Sequence, residues 1–168
     1  METNTLPHYD DSDNETGCCP RFDPGGWDGR TLHFREKKFL RAETHGVMHI
    51  PLNIGQVFRR VDTHVQDAGG WDKEDMIVLS RDLTAFKAEH LFCVSRDIPN
   101  EEMICLSGDF VTRAFEGPYR EVKHWHEEME ELVEGMGHKP GRIYFFYTTC
   151  PKCAKHYGKN YVIGVAEI

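Results

Sequence analysis

The sequence predicts an α+β protein with two helices packed on a mainly antiparallel sheet. Three observations carry this. Two segments place apolar residues at helical spacing, at residues 54–68 and 122–136. Short β-rich apolar runs surround each of them. Gly and Pro pairs punctuate the boundaries. The order strand, helix, strand, strand occurs twice, over residues 47–98 and 103–168, which reads as a duplicated βαββ unit. An N-terminal extension, 18–46, precedes the two units within a single domain.

Residues 18–29, CCPRFDPGGWDG, hold two Pro and three Gly in twelve positions and read as loop. TLHFR, EKK and FLRAE, around 31–43, read as a hairpin with a charged turn. VMHIPL, 47–52, reads as a strand. Ile54, Val57, Phe58, Val61, Val65 and Ala68 then form one helix face. Asn53 followed by Gln56 resembles a capping box, and Gly69-Gly70 closes the helix. MIVLS (76–80) and HLFCVS (90–95) are the next strands. In the second unit MICLSGDFVTRAFE, 103–116, is strand. Pro118 suits a first helical turn, and Val122, Trp125, Met129, Leu132, Val133 and Met136 make the apolar face. IYFFYTT (143–149) and NYVIGVA (160–166) complete the copy.

The formal charge is -8, yet residues 1–17 carry five acids and no Lys or Arg. Without them, 23 acids face 20 bases. The acidity therefore belongs to a segment expected to be a disordered tail, and the folded part is near neutral. No basic stripe suggests nucleic acid as a partner. No apolar run reaches the ~20 residues of a membrane span, and the N-terminus lacks a signal-peptide pattern. A cytoplasmic protein without membrane contact is expected.

Six cysteines in a cytosolic chain should be reduced, so their spacing matters more than their parity. Cys93 and Cys105 lie in strand-like apolar runs and read as small buried hydrophobes. Cys150 and Cys153 form a CxxC between the last two strands, a spacing that brings two sulfurs to one ion at about 2.3 Å. A closed site needs four ligands. Cys18 and Cys19 are the natural second half, with His156 as a substitute for one of them. Zinc bound by four protein ligands has no open position for water and is structural. A redox dithiol is the rival reading, but it usually sits at a helix N-terminus. Inert surface cysteines are the third.

Gly117-Pro118-Tyr119, with Trp125 six residues after the Tyr and Tyr147 shortly before Pro151, resembles the GyrI-like small-molecule-binding family. That family is related in fold to the SOUL haem-binding proteins. The resemblance implies a groove between the two halves that holds an apolar or aromatic small molecule, with Trp125, Tyr119 and Tyr147 along it. The family's groove-floor carboxylate would fall near Phe145 or Ile163, so here the candidates for it are Glu116, just before the helix, and Glu167, near the end of the last strand. A subset of the family hydrolyses electrophilic compounds. The resemblance therefore allows two functions, a binding module or a hydrolase. In the hydrolase, Glu116, Glu167 or His49 would activate water.

Overall fold

A computed structural model describes residues 2–8 and 10–168. The chain is α+β and divides into two compact units, Arg35–Ser107 and Met1–Phe34 with Gly108–Ile168. Three helices occur among the described residues, not the two expected.

In the Arg35–Ser107 unit, strand β1 (Thr31–Val47) turns into β2 (Ile50–Pro51). Helix α1 (Ile54–Asp67) follows, then β3 (Val78–Thr84) and β4 (Lys87–Cys93). The strand order is β2-β1-β4-β3, antiparallel throughout. Burial of one helix face drives the packing. Val57, Val61 and Val65 sit against Leu40, Ala42, Phe92 and Val94. The helix ends where predicted, with Gly69 at φ +62.

Two expectations fail here for physical reasons. Residues 31–43 are one strand, not a hairpin. The charged triplet suggested a turn, but Lys37 is buried and donates to Asp75 at 2.8 Å, so its charge is compensated inside. Only Glu36, at φ 49, interrupts the extended backbone. Residues 47–52 are also not one strand. Met48 and His49 both have positive φ, and this two-residue turn matches the twist of the strands it joins. Asn53 occupies the N-cap of α1 without capping it, because its side chain accepts from His45 N at 2.8 Å instead.

In the other unit, β5 (Glu102–Glu116) enters a 3-10 turn at Tyr119–Glu121 and helix α2 (Val122–Gly135). Strand β6 (Ile143–Tyr147), helix α3 (Pro151–Tyr157) and β7 (Tyr161–Glu167) follow. The order is β5-β7-β6, again antiparallel. Trp125, Met129 and Val133 of α2 pack on Val111, Phe115, Phe145 and Val162. Gly164 permits this approach, since a Cβ there would lie 2.6 Å from the Met129 sulfur.

Strand side chains alternate between faces, so Phe146 points opposite to Phe145. The N-terminal segment packs there. Phe22 meets Phe146 edge-on at 5.9 Å, and the fully buried Trp27 lies 5.4 Å from it. Gly29 donates to Thr112 O, and Thr112 donates to Arg30 O. Upstream, Leu6 is buried and Asn4 donates to His33 O. The loop-like 18–29 stretch therefore covers a sheet face, which places Cys18 and Cys19 beside the β6–β7 connection.

Candidate metal centre and neighbouring depressions

Beyond β6 the backbone is pinned twice. Thr148 Oγ1 donates to Tyr161 O at 2.7 Å, and the Tyr119 hydroxyl donates to Thr149 O. Cys150 then occupies the N-cap of α3 without a side-chain capping bond, and Pro151 takes the first helical position, where its missing N–H is not needed. Gly158, at φ 74, ends the helix in the left-handed conformation. Within this one turn, Cys150 and Cys153 are three residues apart and share a helix face.

The facing half is a tight turn. Gly17 N donates to Asn14 O, and Thr16 Oγ1 accepts from the amides of Cys18 (3.2 Å) and Cys19 (3.3 Å). This local bonding brings two adjacent side chains to the same side, which an extended chain would not do. Their sulfurs are 3.8 Å apart. Cys19 Sγ accepts from Cys150 N at 3.5 Å, and Tyr157 Oη donates to Cys19 O at 2.6 Å. All four sulfurs of Cys18, Cys19, Cys150 and Cys153 lie within 4.8 Å of one another. A tetrahedron with metal–sulfur bonds of about 2.3 Å has edges of about 3.8 Å. The cluster could hold a metal ion with little movement. All six cysteines of the chain are free of disulfides.

Electrostatics point the same way. Burial pushes the Cys19 thiol up to about 12. Thr16, 3.3 Å from Cys153 Sγ, holds that thiol down at about 7. Four thiolates this close repel one another unless a cation sits among them. A divalent ion removes that conflict and binds the deprotonated forms.

Three expectations at this site change. The CxxC sits on a short helix, not on a strand-to-strand knuckle. The CxxC thus has the helix N-terminus that a redox pair favours, and the convergence of four sulfurs is what sets a metal site apart from it. His156 does not join the sulfurs; its Nε2 lies 3.0 Å from Glu15 Oε2. Cys105 is exposed, while Cys93 is buried as expected, with its thiol raised to about 11 by burial.

Trp125 is buried and stacks on Phe115 at 5.4 Å, inside the α2 core. The Tyr119 ring lies 5.9 Å from the half-exposed Tyr147. Glu167 is engaged by Arg142 at 2.8 and 3.0 Å. His49, in the other unit, is exposed and pairs with Asp82 at 2.7 Å. Glu116 alone of the three is exposed with no hydrogen bond or ion pair on its carboxylate among the described residues. It lines two shallow depressions. One, of about 340 Å³, adds Gly117, Pro118, Lys155, Lys159 and Asn160. The other, of about 320 Å³, adds Asp28, Phe115 and Tyr161.

Two polar networks were missed in the sequence. Glu89 is buried between Arg41 (2.7 Å) and Arg81. Burial raises its carboxyl, but the two guanidiniums outweigh this and hold it below the usual range. His90 is buried between Ser80 Oγ on Nδ1 (2.7 Å) and Thr44 Oγ1 on Nε2 (2.9 Å). Burial lowers it to about 4, so the imidazole is neutral. The adjacent Glu-His within an apolar strand was the available signal.

Comparison with known families finds a model described as "Bacterial hydrolase" that matches residues 9–168. No curated protein matches the chain.

Proposed function

The chain belongs to the bacterial hydrolase family, and from that premise we propose that it hydrolyses an electrophilic small molecule, with Glu116 as general base and a structural zinc ion on the four cysteines. The observation that carries the reading is the uncommitted Glu116 carboxylate on the wall of both depressions. A base has to reach the bound water: Glu167 is held by Arg142, and His49, whose Nδ1 pairs with Asp82, lines neither depression. Lys155 and Lys159, on the same rim as Glu116, supply positive charge for an oxyanion developing at the attacked carbon.

Zinc suits four thiolates, and four protein ligands leave it no position for water. Its role is to fix α3 and hence Lys155. The GyrI-like kinship is the second reading. What supports it is the equal strand order of the two units, first–third–second in β1-β4-β3 and in β5-β7-β6, each with one helix after the first strand. On that reading the units are copies of one βαββ element, and the chain binds a small molecule, with Tyr119 and Tyr147 as ring contacts. We assign it to the cytoplasm, where thiols stay reduced, with neither nucleic acid nor membrane as a partner.

The test is turnover of a panel of small lactones and activated esters, whose hydrolysis releases acid, followed by pH-stat. Glu116→Gln should lower kcat/KM by about 10²–10⁴, the usual contribution of a general base, with the bound metal unchanged. Full activity in Glu116→Gln would reject the assignment. A wild type that turns over nothing, yet retains a small molecule in native mass spectrometry, would favour the binding module.

A further inference from the structure

Large apolar side chains gather at one end of the Arg35–Ser107 unit. Val47, Met48, Ile50 and Leu52 belong to the β1–β2 turn, and Leu83 and Phe86 to the β3–β4 turn. They are 37–74% exposed. The two turns are stitched together, since Gly46 N donates to Phe86 O and His49 N to Ala85 O, both at 2.9 Å. These six residues are therefore neighbours on one tip. Taking about 150–200 Å² for a large apolar side chain, the tip exposes roughly 600 Å² of surface. This is at the top of the about 300–600 Å² of the largest patches on monomers, which are often functional.

We propose that this tip is an isologous interface for a second copy of the chain. Two such patches in full overlap bury roughly 1,200 Å² together, the lower end of the about 1,200–2,000 Å² of a stable association. A twofold axis through the tip sets each patch against itself, as a closed dimer requires. The contact is made by side chains. Strand β2 is two residues long, and Pro51 has no N–H to offer a neighbouring strand. His49 and Asp82 at the tip pair with each other at 2.7 Å, so their polar groups have a partner within the chain. An anionic membrane surface is the poorer occupant for a chain of net charge -8.

The experiment is sedimentation velocity on the full chain from about 1 to about 100 µM, the range of a standard-size interface of ordinary affinity. The wild type should reach a dimer. Leu52→Asp and Phe86→Asp, each at an exposed side chain, should each weaken the dimer by at least about 30-fold. Met136→Asp, at an exposed apolar position of the other unit, should change nothing. A wild type that stays monomeric throughout, or a dimer that survives both tip substitutions, would overturn the proposal. So would a monomer that co-floats with lipid vesicles through Leu52 and Phe86.

Discussion

Replacing Cys150 by Ser removes one of four convergent thiols and, with it, the closed coordination sphere. The structure fixes what is then lost. The 13–21 segment is otherwise tied to α3 by His156–Glu15 at 3.0 Å, Arg21 over the Tyr157 ring at 4.6 Å, and Tyr157 to Cys19 O. The first two are exposed, screened by salt and weak. An ion on the four sulfurs would therefore be the main anchor. Structural zinc in small peptides is worth about 10–16 kcal/mol of apparent binding, but the effect on folding depends on free metal. At a thousandfold excess over Kd it is about 4.1 kcal/mol. For a chain of 168 residues, each kcal/mol moves Tm by about 2–4 °C. Chelation of the wild type should thus lower Tm by about 8–16 °C. Cys150→Ser should begin near the lower value and no longer respond to chelator. Elemental analysis should give one zinc per wild-type chain. Metal-free wild type from zinc-replete medium, with a Tm indifferent to chelator, would refute the reasoning.

Two further outcomes follow from buried groups. His90 is held neutral by burial, with its pKa lowered to about 4 from an unfolded value near 6.5. Its contribution is fully present above about pH 6.5 and is lost as pH falls toward 4, because only the unfolded chain takes up the proton. The loss should reach about 2 kcal/mol by about pH 5. Urea unfolding of wild type and His90→Gln at about pH 7 and about pH 5 checks this, and an equal drop in both proteins would exclude His90 as the source. Trp125→Ala should cost about 3–5 kcal/mol, as for a large core side chain. A urea-unfolding loss under about 1 kcal/mol would place the indole outside the core.

Periodicity made both long helices legible. Val57, Val61 and Val65, and Trp125, Met129 and Val133, are the inward positions the spacing indicated. Helix α3 left no such trace, because seven residues make only two turns and bury a single side chain, Cys153. Lys37 misled because a charge in a strand reads as a turn until its partner is known, and Asp75 lies 38 residues away. Glu89 with Arg41 and Arg81 is hidden for the same reason. Local pattern reports which residues share a face, not which distant charge will meet them.

The cysteine quartet was legible because a CxxC spacing brings two sulfurs to one ion and a second cysteine pair was present to complete four ligands. What the spacing did not carry was how an adjacent Cys18-Cys19 pair converges, which rests on the Thr16 hydroxyl accepting two successive amides. That same geometry links the centre to the depressions. A seven-residue helix has no stability of its own in water. Two of the four sulfurs sit in its first turn, while Lys155 and Gly158 at its other end line the depression beside Glu116. An ion with every coordination position filled by protein can therefore govern the shape of that wall while taking no part in the chemistry there. If the proposed hydrolysis holds, loss of activity on chelation would measure the anchoring of α3, while the proton transfer would fall to a group such as Glu116, which lines the open space.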